Sequence, residues 1–152
     1  YLRMPSPWRQ TTDRKRSADM YNLYAVRVFS YKWDDSLSFY RDVVEFPLTF
    51  ANPDIGWAQF QLGAASLGLE RCDPDDDEAR DLGGRFVGLS IEVEDIHGTY
   101  ERLQAKGVEF VSPPTTQPWG GTLAHFKDPD GNMLTLLEMD AAKRRDGRTA
   151  PE

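Results

Sequence analysis

The chain predicts an α+β fold built from two βαβββ modules, on three observations. Strand and helix patterns follow one another in the order βαβββ, and after an acidic break the same order returns. The two halves also match at a fixed spacing: sixty residues after Tyr40, Val43, Leu48 and Phe50 come Tyr100, Leu103, Val108 and Phe110, the mark of an internal repeat. The last repeat closes on Phe126-Lys-Asp-Pro-Asp-Gly-Asn-Met-Leu-Thr-Leu-Leu-Glu138. There Pro129 and Gly131 force a tight turn between two strands rich in aliphatic residues.

The first module is expected over residues 20–72. Residues 21–31 alternate, with Val26 and Val28 on one face and Ala25, Arg27 and Phe29 on the other. Asp34-Asp35-Ser36 offers helix N-caps. Leu37, Tyr40, Val43 and Val44 then recur at helical spacing, and Pro47 ends the helix. Strands follow at 48–50, 57–62 and 66–70, the last two joined by Gly63-Ala-Ala65. Residues 73–85 hold Asp73-Pro-Asp-Asp-Asp-Glu78, a charge run read as a solvated linker whose spacing does not match a calcium loop. The second module spans 86–139. Its first strand is 86–93, Asp95 caps a helix over 96–106 that Gly107 ends, and strands follow at 108–110, 122–126 and 133–137. Residues 1–19 read as an N-terminal extension and 140–152 as a polar C-terminal tail.

Composition narrows the function classes. An apolar content of 39% with 12% aromatic residues supports a packed core. No apolar run reaches the 18 residues a spanning helix needs, so no membrane role is expected. Residues 20–138 carry nine basic against twenty acidic side chains, net −11, which repels a phosphate backbone and tolerates cationic small molecules. The single cysteine, Cys72, forms no internal disulfide and has no adjacent histidine to activate it. A lone cysteine and the lack of a signal-peptide apolar region in residues 1–19 point to the cytoplasm.

Several words of the sequence carry a family resemblance: Ser36-Leu-Ser-Phe-Tyr-Arg-Asp42, Ile91-Glu-Val-Glu-Asp-Ile96, Leu103-Gln-Ala-Lys-Gly-Val-Glu-Phe110, Trp119-Gly-Gly121 and Phe126-Lys-Asp-Pro-Asp-Gly-Asn132. In this order and spacing, over residues 22–138, the chain resembles the glyoxalase, bleomycin-resistance and extradiol-dioxygenase superfamily, the vicinal oxygen chelate proteins. The resemblance implies two modules whose curved sheets form an open, barrel-like wall around a ligand cleft. It also implies a homodimer, with the cleft in some members built across two subunits.

Metal-dependent members of that family hold a divalent cation with a His or Gln on each module's first strand and a Glu on a last strand. Carried onto this chain, those positions fall on Ala25, Gly88 and Thr135, with the remaining one near Gly68. None is a good donor, so the usual metal site is expected to be missing. His125, Glu70 and Glu92 keep the parity of the cleft face. They form the alternative cluster, for a divalent metal or for acid–base work. His97, at a helix start, reads as a surface residue.

Without metal ligands the cleft becomes a small-molecule pocket. By strand parity its walls include Arg27, Phe29, Trp57, Gln59, Gln61, Ser90, Glu92, Leu123, His125, Met133 and Leu137, with Trp119 on a loop at the mouth. The expected function is metal-independent binding of a small aromatic or cationic molecule, as in the drug-sequestering, antibiotic-resistance branch of the family. Trp57, Phe29 and Trp119 would stack on the ligand, while Arg27, Gln59, Glu92 and His125 orient it. Two alternatives stand beside it. One is a glyoxalase-like lyase or isomerase, with or without metal, using His125 and Glu92 for proton transfer. The other is an interaction protein with a vestigial cleft.

Overall fold

The structure, a computed structural model, describes residues 20–140. The expected extension at 1–19 and most of the expected tail lie outside the described residues. Strand β1 (Val26–Ser30) leads into helix α1 (Trp33–Ser38), which runs on as a π-helical turn (Phe39–Val43). Strands β2 (Leu48–Asn52), β3 (Trp57–Leu62) and β4 (Ala65–Arg71) complete the first βαβββ unit. The second holds β5 (Phe86–Glu92), α2 (Ile96–Ala105), β6 (Glu109–Phe110), β7 (Thr115–Thr116), β8 (Thr122–Lys127) and β9 (Met133–Glu138). The short β7, pairing with β8, has no signal in the sequence pattern.

Each unit makes its own sheet, in the orders β1-β4-β3-β2 and β5-β9-β8-β6, and neither sheet closes into a barrel. The inner faces carry the aliphatic and aromatic residues the alternation predicts. Val28, Ala58, Phe60, Leu67 and Leu69 from the first sheet join Ala124, Phe126, Leu134 and Leu136 from the second in one hydrophobic cluster. The helices supply Leu37, Tyr40, Ile96 and Leu103 to the same cluster. Burying a side chain of this size stabilises by about 1.5–3 kcal/mol, so the shared core binds the two modules together. Phe39 on the π-helical turn reaches Phe126 across the module boundary, ring centroids 6.3 Å apart.

Polar contacts reinforce that boundary, and they centre on the turn at 128–132. Asp130 accepts hydrogen bonds from the Tyr31 and Lys32 amides at 2.9 and 3.0 Å, from the Ser36 hydroxyl at 2.7 Å, and from the Ser30 hydroxyl. The N-terminus of α1 is therefore served by a carboxylate almost a hundred residues away. This corrects the expectation that Asp34-Asp35-Ser36 would cap it: α1 begins at Trp33 and has no side-chain cap of its own, and both aspartates fall within its first turn. Asn132, fully buried, donates to the Phe29 carbonyl at 2.8 Å and accepts from the Gly84 and Arg85 amides. Tyr40 donates to the buried Asp128 carboxylate at 2.7 Å. Asp95 caps α2 as expected, accepting from the Gly98 amide at 3.0 Å, and Gly107 ends it with φ of +90°.

The acidic residues 73–78 are exposed, but the segment after them is docked. The Tyr31 hydroxyl donates to the carbonyls of Ala79 and Arg80, and accepts from the Gly83 amide.

Two bulges change which side chains face outward. Leu48 pairs with Phe60 and Phe50 with Gln59, so one extra residue sits at Thr49. A one-residue slip turns every later side chain to the other face. Phe50 therefore points outward and is 50% exposed, whereas Phe110, its counterpart in the repeat, packs against Phe126 with centroids 6.0 Å apart. The sixty-residue repeat thus holds for the elements but not for the burial of these two phenylalanines. In β5 the register slips between Phe86 and Ser90, around Gly88 at φ +70°.

Candidate functional site

Outer faces of both sheets, turned away from the shared core, carry the expected site residues. On the first sheet Arg27, Gly68, Gln59 and Phe50 align across four strands, and Phe29, Glu70, Trp57 and Asn52 form the next row. The Trp57 ring lies against Gly68: a Cβ built at that glycine would meet the ring at 2.2 Å. Only glycine leaves room for the indole there. Arg27 stacks on Phe29, 5.2 Å from the ring centroid, and reaches Glu70 at 3.4 Å. Both partners of that ion pair are well exposed, so it contributes little. Tyr24, just before β1, donates to the Gln59 side chain at 3.3 Å.

On the second sheet Ser90, Thr135 and His125 align in one row, and Glu92, Leu137 and Leu123 in the next. His125 Nδ1 and Thr135 Oγ1 are 2.7 Å apart, and the Phe86 ring stands edge-on to the imidazole. Met133 pairs with Phe86 and Lys127. Trp119 folds back over Gly121, where a Cβ would sit 1.9 Å from its ring, in a loop closed by the Gln117 amide donating to the Gly121 carbonyl at 2.7 Å. Cys72 is half-buried; burial, then the charges of Asp130 and Glu70, push its thiol up, away from the thiolate a nucleophile needs.

The donor set does not fit a divalent cation. Gly68 is roofed by an indole, Gly88 sits in a bulge, and Thr135 is committed to His125. The alternative cluster is not assembled either: Glu70 belongs to one sheet, His125 and Glu92 to the other. Among the described residues no group of three or more His, Cys, Asp and Glu could hold a metal ion. His97 is exposed at the start of α2.

Two cavities lie along the seam between the modules, each lined by residues of β1 and β5, which belong to different sheets. The larger, about 310 Å³, is walled by Val26, Leu62, Ala65, Leu67, Leu89 and Ile91, with Ser66, Ser90 and Glu92 as its polar groups. The smaller, about 200 Å³, takes in Arg27, Phe29, Arg85 and Phe86. Of the expected site residues, Arg27 and Phe29 line one cavity and Ser90 and Glu92 the other. Trp57, Gln59, Trp119, His125 and Met133 line neither. Sequence reasoning missed Phe50 and Tyr24 on the outer face, and Arg85 at the seam. Phe50 had no signal, because nothing in the residues around Thr49 announces a bulge.

Comparison with known proteins agrees with this architecture. Residues 24–136 match the model of the Glyoxalase/Bleomycin resistance protein/Dioxygenase superfamily. A probable lactoylglutathione lyase from Synechocystis is 29% identical over 118 residues, covering 72% of this chain and 89% of the relative. A bleomycin resistance protein from Klebsiella pneumoniae is 26% identical over 113 residues, covering 70% and 83%. Among solved structures, TnmS3, an antibiotic binding protein from Streptomyces sp. CB03234, superposes with a TM-score of 0.65 at 28% identity, covering 79% of this chain and 97% of that one. With the family model spanning most of the chain and two βαβββ units folded as its relatives fold, the protein belongs to the Glyoxalase/Bleomycin resistance protein/Dioxygenase superfamily.

Proposed function

We infer that this chain is a metal-independent member that binds and sequesters a small aromatic, cationic molecule. The observation that carries this reading is the state of the metal-ligand positions. Ala25, Gly68, Gly88 and Thr135 offer no carboxylate or imidazole, and the Trp57 ring occupies the space a ligand at Gly68 would need. A cleft that has exchanged donors for an indole gains stacking area and loses its Lewis acid.

The rest of the site is consistent with capture rather than turnover. Trp57, Phe29 and the outward-turned Phe50 form an aromatic wall on the first sheet. The larger seam cavity is apolar with one carboxylate, Glu92, at its edge, the composition of a small-molecule site. The net −11 of residues 20–138 favours a cationic guest. Gln59, His125 and Arg27 would orient it. The exposed Phe50, Tyr24 and Phe86 support a homodimer in which a second copy covers these faces and completes the cleft. No bond is made or broken in this reading.

Proflavine, a planar aromatic cation, is a suitable probe. Titrated into the full chain it should quench tryptophan fluorescence saturably, and Trp57→Ala should weaken its binding about tenfold, the loss of one base-sized stacking contact. Binding unaffected by Trp57→Ala would sink the assignment. Turnover of a methylglyoxal–glutathione adduct that disappears in His125→Ala would replace it with the lyase reading.

A further inference from the structure

The smaller seam cavity has a chemistry of its own. Arg27 from β1 and Arg85, the residue preceding β5, both line it, in a body that is otherwise strongly acidic. The other described arginines each have a carboxylate or a ring: Arg41 with Asp42, Arg80 with Asp77, Arg102 with Glu45, Arg71 on Trp33, and Arg27 both with Glu70 and on Phe29. Arg85 has no ion pair or ring partner among the described residues, yet its backbone is pinned on both sides. Its amide donates to Asn132 and its carbonyl accepts from the Met133 amide at 2.9 Å. An arginine on a fixed backbone in a cavity wall, with no carboxylate of its own, is an arrangement for an anion.

Its remaining walls define what the anion is attached to. Phe29 and Phe86 are its two rings, Val26, Val28, Leu82 and Val87 are apolar, and Asn132, with its side-chain amide already committed to backbone groups and to the Asp128 carboxylate, lies against the cavity. Phe86 is 57% exposed and held edge-on by His125. At about 200 Å³ the space lies below the ~300–1,000 Å³ typical of drug-sized sites, so the occupant is one ring and its acid group. We propose that the slot between β1 and β5 binds a small aromatic carboxylate, the anion held by Arg85 and Arg27 and the ring set between Phe29 and Phe86. This site adjoins the aromatic wall at Trp57, sharing Arg27 and Phe29 with it and adding Arg85 and Phe86, and its ligand has the opposite charge.

Calorimetric titration of the full chain with benzoate tests it, with benzylamine and inorganic phosphate as comparison ligands. Benzoate should bind saturably and better than either, with added salt weakening it. Arg85→Gln, which removes an exposed side chain, should weaken benzoate at least tenfold and leave proflavine quenching of Trp57 unchanged. Phe86→Ala should weaken benzoate as well. Benzoate binding of equal strength in Arg85→Gln, or its absence in the native chain, would overturn the site. Phosphate binding as tightly as benzoate would overturn the assignment to an aromatic acid.

Discussion

Tyr40 and Asp128 show how much one buried pair decides. Burial first, then the charge and hydrogen bond of Asp128, hold the Tyr40 phenol well above its ordinary value. Burial also raises Asp128, and its bonds from Tyr40 and Asn132 pull it part of the way back. A tyrosine whose folded pKa exceeds its unfolded one contributes stability that is complete below about pH 10 and is lost as pH rises beyond it. Tyr40→Phe removes a donor from a buried carboxylate, so it should cost about 1–3 kcal/mol at neutral pH in urea denaturation. The variant should also lose the part of the alkaline destabilisation that belongs to this phenol. The tyrosine was legible as a core position from its helical spacing. Its partner was not, since 88 residues separate the two in sequence.

Elements followed their patterns wherever local chemistry acts alone. Asp95 and Gly107 bound α2 as the residues predict, and the long strands were found within a residue or two of their expected ends, except that β1 begins at Val26, five residues after the expected start at Tyr21. Departures occur where tertiary structure supplies what the local sequence lacks. Helix α1 takes its amide acceptors from Asp130, and β2 and β5 each break register. Gly88 has a structural role at this bulge. It supplies a left-handed backbone that a side chain resists, although a Cβ there would meet nothing closer than 3.7 Å. Gly88→Ala should cost about 1–2 kcal/mol from conformation alone, measured as a lower denaturation midpoint with an unchanged m-value. A stability equal to the native chain would show that the bulge is not required.

Over the whole molecule, one core and one turn unite the two modules. The repeat was legible because each module reproduces its own pattern of strands and helix. The clasp was not, because Asp128, Asp130 and Asn132 read locally as turn formers. Asp130→Ala strips acceptors from two amides and two hydroxyls at the start of α1. It should destabilise the chain by about 2–4 kcal/mol, several unmatched groups each at the low end of their usual penalty. A core shared by both modules should keep the variant's unfolding a single transition; two separate transitions would show that the modules fold independently.

The strand parity of the candidate site residues was legible in the sequence, whereas their division between the outer faces of two sheets was not. Proflavine affinity measured in the presence and absence of excess chelator tests the proposed metal independence most directly. A cleft that has replaced its metal ligands with an aromatic wall should bind the dye equally well in both. Binding that vanishes with chelator and returns on adding a divalent ion would contradict it.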